Sequence, residues 1–463
     1  MFPTATYVQR RARLRERIGS GIVLLPGNRE SPMNYAENPY PFRQDSTFLY
    51  YFGLDQPGLA AVLDLDEGTE CIFGNDPTVE EIVWTGPVPL LRDRCEQVGV
   101  AQAAPSNELE QILAKAVRQQ RPLHFPPPYR PEHTLPIADC GLRIADSQCR
   151  GLPSSKLIRA IVAQRSIKSP EEIEQIETAL DISRRMHTAA MRMARPGVRE
   201  YEVAGAMEGI ALSRGVRLAY PSIFSIHGQI MHNPCHDNIL KAGDIVVNDS
   251  AAESPLHYAG DVTRTIPVGG RFSPRQREIY ALVLRAQARC VAATRPGVEW
   301  RQVHRLACVA LMEGLKELGL IKGDPEEAVA AGAHTLFFPC GVGHMLGLDV
   351  HDMEPLGEEY VGYTDTIRRN PEFGWRSLRL AKAVEPGYVV TVEPGIYFIE
   401  PLLDRWQAEG KHRQFIDYDK VEGYRDFGGV RVEDCLVVTE DGCRLLGPQI
   451  PKTIAEVETL AST

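Results

Sequence analysis

Two pairs of carboxylates and one histidine-bearing loop are the residues of this chain whose types and spacing could do chemistry. The stretch "AGDIVVND" ends near Asp249, six residues after Gly243, and "EPGYVVTVE" ends on Glu393, six residues after Gly387. Each is a tight turn, then a β-branched run, then an acid. Each half also carries a later acid in a β-like segment with an arginine nearby: Asp261 in "GDVTRT" and Glu433 in "VRVED". If the two halves pack face to face, four carboxylates converge, and they cannot all stay ionised without positive charge among them. Divalent cations supply that charge. Four carboxylates and an imidazole suit two adjacent ions, with Mn²⁺ favoured by oxygen-rich ligation and Co²⁺ or Zn²⁺ as alternatives. Two ions roughly 3.5–4 Å apart can share a hydroxide and polarise the carbonyl it attacks. The imidazole is in "CGVGHMLGLDVHD" (340–352), where His344 and His351 lie among glycines with Asp349 and Asp352, after an opening Cys340. Singly, a strand-end aspartate is a turn or capping residue and a histidine between glycines is a loop residue. The set is what points to a metal.

Positioning these groups requires two related halves, and the chain repeats itself accordingly. "RPGVREYEVAGAMEGIALSRG" (195–215) resembles "RPGVEWRQVHRLACVALMEGLKELG" (295–319), each after a helical stretch. The first ~150 residues are different in kind. They alternate short apolar segments ("GIVLLP", "LAAVLDL") with turns and a helical "NELEQILAKAVRQQ", which predicts an α/β domain. The proline-rich "RPLHFPPPYRPEHTLP" (121–136) cannot continue a helix. A boundary is expected between 151 and 168, dividing the chain into 1–160 and 161–463. Beyond it Ser169, Pro170 and Glu172 spell a capped helix start, with Ile173, Ile176 and Leu180 as its apolar face.

The bulk numbers exclude other classes. At 463 residues, two domains are the default, and 43% apolar with 24% charged residues is the composition of a folded chain. A net charge of −10 argues against nucleic-acid or anionic-membrane surfaces. No apolar run approaches the roughly 20 residues of a membrane span, and the amino terminus lacks the apolar core of a signal peptide. Ten cysteines without a CxxC pair read as free thiols, so a cytoplasmic protein is expected.

The segments "NDSAAESPLHYAGDVTRTIPVGGRF", "GVGHMLGLDVHD", "EPGYVVTVEPGIYFIEPLLD" and "FGGVRVEDCLVVTEDG" together resemble the aminopeptidase P and prolidase metallopeptidases. The amino-terminal "FRQDSTFLYYFGL" resembles the smaller domain of those enzymes. The resemblance implies an α/β amino-terminal domain followed by an α+β pita-bread catalytic domain of two pseudo-symmetric halves. It implies metal ligands at Asp249, Asp261, His344, Glu393 and Glu433, with Asp261 and Glu433 bridging two ions. His232 in "QIMHNP" and His351 match substrate-side histidines of the family, Glu393 a proton shuttle, and Arg431 an arginine that steadies the carboxylates. "GWRSLRLAKAVEPG" and the long interval from Glu393 to Glu433 resemble the prolidase branch, in which an arginine at the position of Arg379 binds a dipeptide's free carboxylate. The implied function is hydrolysis of Xaa-Pro dipeptides by a metal-activated hydroxide, in a homo-oligomer (dimer or tetramer). The rival readings are an Xaa-Pro aminopeptidase on longer peptides, a creatinase-like hydrolase of the same fold, and a non-catalytic pita-bread binding module. Two features depart from the family pattern. The interval from Glu253 to Asp261 carries one residue more than the usual spacing, which a β-bulge or wider hairpin absorbs. The position four before the ligand histidine is usually a substrate-binding histidine and here is Cys340, which predicts reduced or shifted activity because a neutral thiol is a weaker donor.

Overall fold

The computed structural model describes residues 1–133 and 153–463; the end of the proline-rich stretch and the first residues of the expected boundary lie outside the described residues. There are two compact units, Met1–Arg165 with Met353–Tyr360, and Ser166–Asp352 with Val361–Thr463.

In the first unit the apolar runs become strands. "GIVLLP" forms β1 (Ile22–Pro26), buried throughout, and "LAAVLDL" forms β2 (Ala60–Asp64). With β3 (Thr69–Phe73), β4 (Gln102–Ala104) and β5 (Leu123–His124) they make a mixed sheet in the order β4-β3-β2-β1-β5. The helix Leu109–Arg118 lays Leu109, Leu113 and Ala116 against Ile22, Leu24, Val62 and Phe73. Within "FRQDSTFLYYFGL", Asp45 caps the helix Ser46–Phe52 by accepting from the Phe48 N–H (2.8 Å), and Gly53 ends it at φ +63°.

The second unit is built twice from the same plan. Helices Pro170–Met193 and Pro274–Ala293 each begin with a serine cap, a proline in the first turn and a capping box, Ser169/Glu172 in one and Ser273/Gln276 in the other. Each RPGV turn then ties back to the chain beyond its helix. The Gly197 N–H donates to the Leu240 carbonyl (2.8 Å) and the Gly297 N–H to that of Val384 (2.9 Å). Helices Glu200–Leu212 and Trp300–Glu317 follow, each packed on the preceding long helix.

The strands of the first half, β6 (Ile223–Ser225), β7 (Ile245–Asp249) and β8 (Thr263–Pro267), form an antiparallel sheet in that order. The second half supplies β9 (Val389–Val392), β10 (Gly395–Tyr397), β11 (Gly429–Arg431), β12 (Asp434–Val438) and β13 (Cys443–Leu445). Here β9 pairs with β12 and β10 with β11, all antiparallel. One buried histidine secures the first sheet to its helix. His187 donates from Nε2 to the Ser250 carbonyl (2.9 Å) and accepts at Nδ1 from the Asn248 amide (3.1 Å).

Candidate metal centre

Strand register determines where the acids meet. In the first half Asp249 closes β7 opposite Thr263, and Asp261 lies two residues before Thr263, so both acids share one face. In the second half Val392 pairs with Asp434 and Gly395 with Arg431, a single register in which Glu393 stands opposite Glu433. The repeat thus sets each half's acids at the ends of an antiparallel pair. The halves are joined there by side chains: Thr263 donates to Glu433 Oε2 (2.7 Å), and Arg431 donates from Nε to Thr263 Oγ1 (3.0 Å) and from Nη2 to Asp249.

The histidine loop docks on β9 like a short extra strand. The His344 N–H donates to Thr391 Oγ1 (3.1 Å), the Thr391 N–H to the His344 carbonyl (3.0 Å), and the Glu393 N–H to the Val342 carbonyl (2.8 Å). Such contact leaves no room for a side chain at residue 343, where a Cβ would stand 2.0 Å from the Thr391 oxygen; Gly343 is the residue that fits. Further along the loop, Asp352 meets Lys168 (2.8 Å) with both side chains 1% exposed, so this aspartate braces the loop.

His344 is held in one tautomer. Its Nδ1 lies 3.0 Å from the Met345 carbonyl, which can only accept, so Nδ1 carries a proton and Nε2 is the nitrogen left to serve as a metal ligand. That Nε2 points at Asp261 Oδ2 (3.3 Å) and Glu393 Oε1 (3.6 Å). Donor atoms of Asp261, His344 and Glu433 all lie within 4.8 Å of one another, and Glu433 Oε1 is buried without a hydrogen-bond partner. Burial, and after it the neighbouring carboxylates, push Asp261, Glu393 and Glu433 well above the usual carboxylate range. Acidic oxygens and an imidazole nitrogen converging in a buried site, with one oxygen unsatisfied, are what a cation would neutralise, and this donor set fits divalent metal.

All ten residues singled out in the sequence line one cavity of about 750 Å³: Asp249, Asp261, His344, Glu393, Glu433, His232, His351, Arg379, Cys340 and Arg431. His351 packs edge-on against His344, with ring centroids 4.5 Å apart. Burial, partly offset by Asp249, lowers the pKa of His232 and keeps its ring neutral. Burial and then the nearby Glu393 push the Cys340 thiol up to about 12, so it is protonated at neutral pH. The backbone at Arg379 is set by close approach to Gly362, where a Cβ would be 1.8 Å from the Arg379 carbonyl oxygen.

Sequence reasoning missed three partners. The Tyr220 hydroxyl lies 2.7 Å from both Asp249 Oδ1 and Asp261 Oδ1, and the Arg431 Nη1 donates to the Tyr397 hydroxyl (2.8 Å). Thr263 and Tyr397 carried a usable signal, since they fall at even spacing from Asp261 and Glu393 and so share their faces. Tyr220 carried none; it is one of 16 tyrosines.

A carboxylate-rich site with one imidazole, on strand pairs from two pseudo-symmetric halves, is the arrangement of a metal-binding pita-bread domain. Residues 174–440 match metallopeptidase family M24 and residues 7–124 match the aminopeptidase P N-terminal domain, so the chain belongs to family M24. It is 30% identical to human Xaa-Pro dipeptidase, over 98% of this chain and 93% of that one. It is also 30% identical to a probable Xaa-Pro aminopeptidase of Metarhizium acridum, over 92% and 87%. Among solved structures it is similar to Pseudomonas aeruginosa aminopeptidase PepP (TM-score 0.82, 29% identity, 100% of this chain and 98% of that one). Zinc-substituted Escherichia coli aminopeptidase P in complex with product is similar too (TM-score 0.81, 28% identity, 99% and 98%).

Proposed function

We propose that this protein is an Xaa-Pro dipeptidase that uses two divalent metal ions, Mn²⁺ first and Co²⁺ or Zn²⁺ as alternatives. The observation that carries the reading is the convergence of His344 Nε2 with Asp261, Glu393 and Glu433, whose Oε1 is buried without a hydrogen-bond partner. Asp249, Asp261, His344, Glu393 and Glu433 would hold the ions. When bound, the metals supply Lewis acidity and make water nucleophilic at neutral pH. The remaining work falls to the chain. Arg379 receives the C-terminal carboxylate of the dipeptide through charge-assisted bonds, which sets the scissile carbonyl by distance from that end. His232 and His351 donate N–H groups to the oxygen as it gains charge. Glu393 takes the proton of the attacking water and passes it to the proline nitrogen as the C–N bond breaks. Arg431 keeps Asp249 and, through Thr263, Glu433 in place. The same reading includes a homo-oligomer in a reducing compartment, in keeping with the eight free cysteines among the described residues.

The second reading is an Xaa-Pro aminopeptidase, favoured by the likeness to aminopeptidase P structures. The deciding experiment compares Ala-Pro with Ala-Pro-Ala and longer peptides, with and without Mn²⁺, in wild type and Arg379→Met. The dipeptidase reading expects Ala-Pro to be the best substrate and KM for it to rise at least tenfold in the variant, since a charged hydrogen bond contributes about 1.5–3 kcal/mol. Preference for longer peptides, untouched by the substitution, selects the aminopeptidase.

A further inference from the structure

A second set of metal-type donors lies outside the carboxylate site. Among the described residues, donor atoms of His304, Cys308 and His334 lie within 4.8 Å of one another, and all three residues are buried. His304 and Cys308 are one turn apart on the helix Trp300–Glu317 and so share a face, while His334 comes from the short turn Ala333–Leu336. Cys308 Sγ and His304 Nε2 are 3.6 Å apart. Ligands bound to one ion at about 2.3 Å for sulfur and about 2.0 Å for nitrogen are about 3.5–3.7 Å from each other, so this edge is already set for coordination.

The histidines are poorly explained as ordinary core residues. His304 Nδ1 is buried with no hydrogen-bond partner, and the buried ring of His334 has only a poorly aligned approach to the Val329 backbone. His187, equally buried, satisfies both of its nitrogens. An unsatisfied buried polar group costs about 1–3 kcal/mol, and poorly satisfied ring nitrogens grouped around a thiol call for a compensating ligand. Burial lowers His304 to about 3 and His334 to about 4, so both rings are neutral and keep a lone pair at neutral pH. Trp375 packs edge-on against both rings (5.0 and 5.3 Å) and Phe338 lies against His304 (5.7 Å), an apolar cover.

We propose that His304, Cys308 and His334 form a structural site for a thiolate-bound d¹⁰ cation, Cu(I) or Zn(II), separate from the catalytic metals. Binding forms a metal–sulfur bond while the Cys308 thiol proton leaves to solvent; no electron is transferred. Soft thiolate ligation and three donors suit Cu(I), which with one thiolate leaves a neutral centre in an apolar interior. Zn(II) would retain a positive charge and add a fourth ligand. The bound ion would brace Phe338 and Trp375, close in sequence to Cys340 and Ser377 of the cavity wall.

The test is metal counting on full-length protein, stripped and reloaded anaerobically with Cu(I) as its acetonitrile complex or with Zn(II), then dialysed. Wild type, Glu433→Gln, Cys308→Ser and His334→Gln are compared, with circular dichroism to verify folding. Glu433→Gln is expected to keep one tightly held equivalent with a sulfur ligand in X-ray absorption, and Cys308→Ser and His334→Gln to hold that ion at least tenfold more weakly. The arm that retains metal identifies the ion. Equal metal content in wild type and a folded Cys308→Ser would overturn the site. If neither variant folds, wild-type X-ray absorption without a metal–sulfur distance would overturn it equally.

Discussion

Tyr220 shows how much one hydroxyl can organise. Its oxygen lies 2.7 Å from an oxygen of Asp249 and 2.7 Å from one of Asp261, yet it has a single proton to donate. It therefore spaces the two acids as much as it satisfies them. Tyr220→Phe is expected to weaken Mn²⁺ binding or turnover by about 10–100-fold, the range seen when a group supporting metal ligands is lost; calorimetric titration with kcat/KM measurement checks it. Cys340 is the complementary case, a wall residue with little to offer a substrate. With its pKa pushed to about 12 by burial, its thiol is neither a base nor a strong donor at neutral pH. Cys340→His is expected to raise turnover of Xaa-Pro dipeptides or to change the preferred residue before proline. Unchanged kinetics on a dipeptide panel would remove Cys340 as the source of any difference from relatives.

At the scale of elements, β7 depends on the helix behind it. His187, on Pro170–Met193, bonds residues on either side of Asp249. Burial lowers its pKa from 6.5 to about 4, so the unfolded chain binds a proton in that window and the folded chain does not. The sign follows: this contribution is fully present above pH ~6.5 and is lost as pH falls through about 4, by about 3 kcal/mol at most. Thermal melting between pH 7 and 4 should steepen accordingly, and His187→Gln, which does not titrate, should melt with a flatter pH dependence in that range. An identical slope in the variant would place the acid sensitivity elsewhere.

For the molecule as a whole, metal and stability are linked. Ions that bind the folded site and not the unfolded chain stabilise it by about 2.7 kcal/mol at a free concentration one hundred times Kd. Melting of the metal-stripped protein should therefore rise with added Mn²⁺ and fall again with chelator. A melting temperature indifferent to metal would contradict the metal assignment without touching the fold. The cavity bearing the site draws its walls from residues as far apart as Tyr220 and Glu433, so local damage to either half should register in metal binding.

The sequence by itself determined the elements and the repeat. Ser169-Pro170 with Glu172 starts a helix because the serine hydroxyl and the glutamate carboxylate each accept from a backbone N–H three residues away, while the proline ring presets φ and has no N–H to satisfy. Gly243 and Gly387, at φ +92° and +87°, turn the chain into β-branched runs that can hardly be anything but strands. These are local effects, legible within a window of a few residues. The two acid pairs were legible too, because a period of two carries an acid onto a predictable face. What only tertiary structure decided is how far-separated groups meet: Tyr220 between two aspartates, Thr263 donating across to Glu433, and His334 beside His304 and Cys308. No short-range pattern encodes those distances. They follow from strand register and from the packing of one half of the repeat against the other, in which residues more than 150 positions apart become neighbours, as Thr263 and Glu433 do (|i−j| 170).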